Sequence, residues 1–239
     1  MKMRHFTGKQ MLSVVREGDY AHVGEEEAIH LIMDRFSKDA KRLILDVGCG
    51  LGGTAKFIQD HGWGQVTGID IEKESIEYAK KTYPGINFAV SDAARIDEVL
   101  SNKFDLICIF GSFVLFADQL AALQALRKLA HAKTQLMVFD YIDCDGYVSP
   151  VQPFKQLHFP EFEEMLKESG WKLTNVENLD AEFRGWYVNL VNKIKAKQNK
   201  IIKLFGQEAY DILYKRYFLL LQAMRDKKLG GGIVWAITS

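Results

Sequence analysis

The hydrophobic positions of the chain follow two spacings in its first part. Between residues 42 and 140, short apolar runs alternate with segments whose apolar residues recur every three or four positions. The runs predict buried strands, and the segments between them predict amphipathic helices. The predicted strands are 42–47, 65–69, 86–90, 104–110 and 134–139, and the predicted helices are 25–36, 53–60, 73–82 and 118–130. This alternation is typical of βαβ units around a parallel sheet.

The pattern changes after residue 139. Pro150, Pro153 and Pro160 interrupt the chain before a predicted helix at 161–169 and a predicted strand at 171–178. Prolines of this kind break regular elements.

Residues 181–228 are strongly charged, with apolar positions at helical spacing, and we expect two helices there. A Gly-Gly-Gly turn then leads to a last strand at 233–237. Such an insertion has two uses, as extra packing on the sheet or as a lid over the carboxyl ends of the strands. The chain is therefore predicted to be of the α/β class. We expect a Rossmann-like, doubly wound, mostly parallel seven-stranded sheet with a helical insertion before the last strand.

The amino-acid composition and net charge limit the classes of binding partner that we expect. Hydrophobic residues make up 48% and charged residues 26% of the 239 positions, which is typical of a globular protein. The 31 basic and 31 acidic side chains cancel. A neutral chain lacks the broad positive field that nucleic acid or an anionic membrane would attract, so neither is an expected partner.

The three cysteines, Cys49, Cys108 and Cys144, show no CxxC spacing, and we expect them to be reduced thiols. No metal site is predicted. Residues 1–10 are polar, and the longest apolar run, 107–117, is too short to cross a bilayer. The expectation is a cytoplasmic protein whose oligomeric state is unknown.

The segment richest in chemical information is residues 43–54, a predicted strand that enters a glycine-rich turn and then a helix. Glycines in such a turn permit positive φ and let a ligand approach the backbone, while the helix N-terminus offers free N–H groups. Gly48, Gly50 and Gly53 also satisfy GxGxxG, so a dinucleotide has to be considered.

Three carboxylates near the predicted strand ends help to decide which kind of cofactor binds at this turn. Asp46, two residues before Gly48, would repel a pyrophosphate but would suit a ligand that carries an ammonium and a sulfonium. S-adenosylmethionine carries both groups. Asp70 ends the second strand, where its oxygens could accept both ribose hydroxyls. Asp92 follows the third strand, where it could accept the adenine amino group or cap a helix.

These motifs resemble, in order and spacing, those of the class I S-adenosylmethionine-dependent methyltransferases. The resemblance covers residues 25–140 well and rests on four segments: residues 45–53 (LDVGCGLGG), 68–70 (GID), 91–93 (SDA) and 104–107 (FDLI). It implies that Asp46, Gly48 and Gly50 hold the methionine end of the cofactor and Asp70 the ribose. By the same resemblance, Ile71 covers one adenine face and Asp92 contacts the adenine edge.

The further candidates for the cofactor site are Cys49, Ala93 and Phe110; a core role for Phe110 is an alternative. A methyltransferase would form a single domain over residues 1–239. Its cofactor-binding core would comprise 25–180 and 229–239, and 181–228 would form the insertion.

The methyl acceptor should lie beyond the fourth and fifth strands and near the N-terminal segment. The candidates by this rule are Tyr20, His22, Phe113, Asp140 and Tyr141. Segments at 18–24, 140–141 and 185–235 resemble the small-molecule N-methyltransferases of the phosphoethanolamine and glycine/sarcosine type, which places Tyr20 and Tyr141 in the acceptor pocket. The chain departs from the phosphobase enzymes at residues 111–116, which lack their histidine, and at 151–154, which show no clear match to their basic phosphate ligands.

The expected function is methyl transfer from S-adenosylmethionine to a small-molecule acceptor such as an amine. Asp140 or His22 could act as a general base where the nucleophile arrives protonated. Each has a structural alternative, Asp140 as a strand-end turn residue and His22 as an exposed loop residue. The competing functions are a nicotinamide-dependent oxidoreductase, which would have to place Asp46 beside a pyrophosphate, and a non-catalytic binding protein on the same fold.

Overall fold

The computed structural model describes residues 3–143 and 157–239, without the side chains of residues 142 and 143. Cys144 and the segment 151–154 lie outside these residues. Seven strands form one sheet: β1 (Leu43–Val47), β2 (Gln65–Asp70), β3 (Asn87–Val90), β4 (Phe104–Phe110), β5 (Ala130–Asp143), β6 (Trp171–Asn178) and β7 (Leu229–Thr238). Their order is β3-β2-β1-β4-β5-β7-β6, and β7 runs antiparallel to both its neighbours. The predicted α/β fold with a mostly parallel seven-stranded sheet is confirmed.

Nine α-helices accompany the sheet in the described part of the chain: α1 (Phe6–Arg16), α2 (Glu25–Met33), α3 (Gly53–Asp60), α4 (Lys73–Thr82), α5 (Gln119–Lys128), α6 (Phe159–Glu168), α7 (Asp180–Ala196), α8 (Gln198–Phe205) and α9 (Gln207–Arg225). Two short 3₁₀ helices lie at Ala93–Glu98 and Phe113–Leu115. None of these helices is long and apolar enough to cross a membrane.

The central strands β1 and β4 bury both faces, as expected for a parallel sheet between two helical layers. Along β4, Leu106 and Cys108 point to one core while Ile107 and Ile109 point to the other. The first core packs against α1–α4 and α7–α9, and the second packs against α5, α6 and the 3₁₀ helix at Ala93–Glu98. β4 thus packs against both layers at once.

Two predictions about the chain ends were wrong, and one helix was missed. The sequence pattern revealed no helix before residue 25, whereas α1 is well formed. Three helices, not two, precede the last strand, because the chain breaks at Lys197 and again at Gly206, whose φ is +90°. The glycines 230–232 are not a turn but part of β7, paired with residues 140–142 of β5. The ring of Phe183 lies against Gly231, where a Cβ atom would come within 2.2 Å of it.

Candidate functional site

A cavity of about 670 Å³ opens at the carboxyl ends of the parallel strands. It lies where the strand order reverses between β1 and β4, which is the usual ligand position in an open α/β sheet. Residues that follow β1, β2, β3 and β4 line it, together with parts of α1 and α9. The motif segments of the sequence therefore meet at one edge of the sheet.

The glycine-rich turn between β1 and α3 brings backbone to the cavity. The N–H groups of Gly48 and Cys49 donate to the carbonyl oxygen of Ile69, at 2.7 and 2.8 Å, which ties the turn to β2. Gly48 has φ +80°, and a Cβ atom there would lie 2.3 Å from the hydroxyl oxygen of Ser112. Only glycine fits this position, because both the backbone conformation and the neighbouring side chain exclude a larger residue.

Asp46 is buried at the end of β1, only 1% exposed, directly before the lining residues Val47 and Gly48. Its Oδ2 atom has no hydrogen-bond partner among the described residues. Burial, with the negative charge of Asp70 nearby, raises the pKa of Asp46 to about 7. A buried carboxylate without a partner is costly, so a cationic ligand nearby would stabilise its charged form.

Asp70, the last residue of β2, lines the cavity with both carboxylate oxygens engaged. The N–H of Gly50 donates to Oδ2 and the N–H of Glu72 donates to Oδ1, each at 2.9 Å. The ammonium of Lys9, on α1, lies 2.9 Å from both oxygens. This contact connects the N-terminal helix directly to the β2 end of the site.

The other predicted nucleoside residues lie around the same end of the cavity. Ile71 lines it and is 68% exposed, an unusual exposure for an isoleucine. Asp92 and Ala93 also line it, and the Asp92 carboxylate accepts the N–H of Ala94 at 3.0 Å as a helix cap. Phe110 lines the cavity with its ring 4.9 Å from that of His22. Cys49 is buried, and burial raises the pKa of its thiol.

The three residues predicted to bind the acceptor lie in three different parts of the structure. Tyr141 lines the cavity, and its hydroxyl forms a hydrogen bond with that of Tyr187 on α7. Tyr20 lies instead in a second groove between α2 and α7, where its hydroxyl donates to Glu26 at 2.9 Å. Phe113 is fully buried between Phe116 and Phe162 in the core on the opposite face.

The predicted bases are both buried. His22 is not an exposed loop residue, because its ring packs on Phe110 and its Nε2 lies 3.0 Å from the Thr54 hydroxyl. Burial lowers the pKa of His22 to about 3, so the ring is neutral. Asp140 accepts the N–H groups of Val114 and Tyr141 at 3.1 and 2.8 Å, and burial raises its pKa to about 7. Neither side chain is among the described lining residues.

Comparison with known proteins agrees with this geometry. Residues 44–133 match the family described as a methyltransferase domain. A curated O-methyltransferase of Pyrenophora dematioidea is 26% identical over 168 residues, covering 64% of this chain and 62% of that protein. Phosphoethanolamine N-methyltransferase 1 of Arabidopsis thaliana is 22% identical, covering 80% and 41%.

A solved structure shows the same fold over nearly the whole chain. The phosphoethanolamine N-methyltransferase 2 of Haemonchus contortus, in complex with phosphomonomethylethanolamine and S-adenosylhomocysteine, superimposes with a TM-score of 0.84 at 20% identity. The alignment covers 98% of this chain and 57% of that one. The chain thus spans roughly half the length of several proteins that it matches.

Nine lining residues lie outside the matched residues 44–133, among them Lys9, Tyr141, Arg216 and Tyr217. Of these, the sequence analysis identified only Tyr141. Arg216 and Tyr217 are on α9, and Arg216 is distinguished as the one charged residue among the buried residues of that helix. Lys9 carried no recognisable signal, because its partner Asp70 is 61 residues away.

Proposed function

We propose that the chain transfers a methyl group from S-adenosylmethionine to a small-molecule acceptor. The observation that carries this proposal is Asp46, a buried carboxylate with an unpartnered oxygen beside the glycine-rich turn. A pyrophosphate next to this carboxylate would be repelled, whereas an ammonium or sulfonium would be attracted. The charge at the turn therefore supports S-adenosylmethionine and opposes a nicotinamide dinucleotide.

The remaining residues of this edge fit the two ends of such a cofactor. We assign the methionine end to Asp46, Gly48 and Gly50, with Cys49 supporting the turn. The ribose falls to Asp70, whose carboxylate faces the cavity.

For the adenine, the exposed side chain of Ile71 offers an apolar face, and Asp92 and Ala93 lie at its edge. Phe110 lies between the two ends, at the carboxyl terminus of β4.

The acceptor end of the cavity is formed by different residues. Val114, Leu115 and Phe116 provide an apolar wall, and Tyr141, Arg216 and Tyr217 provide polar groups. Relatives named as O-methyltransferases and as phosphoethanolamine N-methyltransferases both support a small acceptor, with oxygen or nitrogen as nucleophile. An amine is the acceptor that we would test first.

The chemistry requires little acid or base from the chain. When bound, S-adenosylmethionine supplies a methyl group that its sulfonium already activates. The chain holds the acceptor in line and excludes water, which can contribute several kcal/mol to lowering the barrier. Tyr141 is held in place by its hydrogen bond to Tyr187 and therefore presents a fixed wall to the acceptor.

We assign Asp140 and His22 to positioning rather than to proton transfer. Asp140 holds the 3₁₀ helix at Phe113–Leu115 through the N–H of Val114, and so positions the apolar wall. His22 supports Phe110 from behind. An acceptor that arrives deprotonated then needs neither residue as a base.

Calorimetric titration tests the cofactor directly. We expect S-adenosylmethionine and S-adenosylhomocysteine to bind and NADH not to bind. Transfer of a labelled methyl group to a panel of small amines and phenols then tests the reaction. Tight NADH binding without a response to S-adenosylmethionine would contradict the proposal. Binding of S-adenosylhomocysteine without any transfer would support the binding-protein alternative instead.

A further inference from the structure

The ammonium of Lys9 occupies the direction from which Asp70 would receive a ribose. It lies 2.9 Å from each of the two carboxylate oxygens of Asp70 and therefore close to the bisector of the carboxylate. A vicinal diol that donates one hydroxyl to each oxygen approaches along the same bisector. The two ligands cannot both occupy that position.

Asp70 has no remaining capacity that would let both bind. Each of its oxygens accepts one backbone N–H, from Gly50 and from Glu72, in addition to Lys9. A carboxylate oxygen offers about two lone-pair sites, so these contacts fill it. A diol must replace the lysine and not the backbone groups, because the latter belong to the glycine-rich turn and to the N-terminus of α4.

We propose that Lys9 competes with the cofactor ribose for Asp70 and thereby sets the cofactor affinity of the site. The inference rests on the proposed function, in which Asp70 receives the ribose. Lys9 acts on the cofactor through Asp70, so it is a positioning residue. Filling the site requires its ammonium to leave Asp70.

Glu72 and Ser75 can bind the ammonium of Lys9 once it has left Asp70. Lys9 Nζ already lies 3.2 Å from Oε2 of Glu72 and 3.1 Å from the hydroxyl of Ser75. Ser75 in turn donates to the same Glu72 oxygen at 2.6 Å. A small rotation of the lysine side chain keeps its charge paired with Glu72, so α1 stays docked while the ribose enters.

Titration of Lys9→Met with S-adenosylhomocysteine tests the competition. This ligand carries the ribose, and its ammonium and carboxylate leave it without net charge, so loss of a lysine charge has little direct effect on it. We expect about tenfold tighter binding than in the wild type, because no charge-assisted contact has to be exchanged. Unchanged or weaker binding would overturn the proposal.

Lys197→Met is the matched control. Lys197 also anchors α1, through Glu17 at 2.8 Å and the carbonyl oxygen of Val14 at 3.0 Å, but it does not contact Asp70. Its substitution should leave the affinity unchanged. An equal gain in both variants would mean that a loosened α1 explains the effect, which would overturn the role of Lys9. Lys9→Gln serves as the second variant where Lys9→Met unfolds, and the same gain is expected from it.

Glu72→Gln tests where the ammonium moves. In the wild-type background this change should weaken S-adenosylhomocysteine binding about threefold, because the displaced ammonium loses its partner. In the Lys9→Met background it should have no effect. Equal effects in both backgrounds would refute the transfer to Glu72. If the wild type binds neither S-adenosylhomocysteine nor S-adenosylmethionine, the proposed function itself fails, an outcome separate from all of these.

Discussion

The two ends of the cavity are constructed differently. The cofactor end depends on short segments at the ends of β1, β2 and β3, each with one carboxylate that faces or adjoins the cavity. The acceptor end combines β4, β5 and α9, with apolar and aromatic side chains that come from distant parts of the chain.

This difference has a consequence for mutations. A change at the cofactor end removes one charge or one hydrogen bond, whereas a change beneath the acceptor end disturbs a core that joins α7 and α9 to the sheet. We therefore expect the first kind to affect binding and the second kind to affect folding.

The largest effect is expected in the core under the acceptor end. Phe183 of α7 is buried against Phe139 and the backbone of Gly231. Phe183→Ala should lower the free energy of unfolding by about 3–5 kcal/mol, because it leaves a large cavity. Urea denaturation measures this, with the exposed Leu204→Ala of α8 as a control that should change it by under about 0.5 kcal/mol. Similar values for the two variants would show that the helices 180–225 fold separately from the sheet.

A smaller effect, confined to binding, is expected at the cofactor end. Asp46→Asn keeps the shape of the side chain but removes its charge. The affinity for S-adenosylmethionine should fall by about 1.5–3 kcal/mol, since a contact with a charged partner is lost. Calorimetry measures this affinity, and the Asp70→Ala variant should show a loss of similar size. Wild-type affinity in a folded Asp46→Asn protein would remove the argument for a cationic ligand at this turn.

The same carboxylate predicts a pH dependence of stability. Burial raises the pKa of Asp46 to about 7, above its value in the unfolded chain, so the folded state retains the proton more strongly. This contribution is complete below about pH 4 and is lost as the pH rises through 7. Between pH 5 and pH 8 the wild type should therefore lose about 2 kcal/mol more unfolding free energy than Asp46→Asn. Parallel curves in urea denaturation at the two pH values would contradict the raised pKa.

The smallest effect is expected in the hydrogen exchange of the helices at 180–225, which would slow if these helices form a lid over the cavity. Arg216 and Tyr217 of α9 line the cavity, so a bound ligand should slow local opening there. Hydrogen exchange with S-adenosylhomocysteine, alone and with an acceptor, should show severalfold slower exchange in α9. Protection limited to the glycine-rich turn would indicate that these helices serve as packing only.

The fold and the candidate site could be predicted from the sequence in some parts of the chain and not in others. Residues 43–54 could be interpreted directly, because a buried strand, a glycine turn and a helix follow one another without a gap, and their roles depend on local backbone geometry. The strands and the order of the carboxylates Asp46, Asp70 and Asp92 followed from the same local patterns. Phe113 was predicted from its position after a strand alone, whereas Tyr141 was also indicated by the resemblance to the small-molecule N-methyltransferases. Position after a strand does not say which way a side chain points. Tyr141 therefore lines the cavity while Phe113 points into the opposite core.

The sequence by itself determined the α/β class, the strands, the glycine turn and the three carboxylates near the strand ends, because each of these features depends on residues close to it in the chain. Only the tertiary structure decided that Lys9 pairs with Asp70, that Arg216 and Tyr217 line the cavity, and that the glycines 230–232 lie inside β7. Each of these depends on packing between segments separated by many residues. Periodicity describes one element at a time, so such contacts appear only when the elements are assembled.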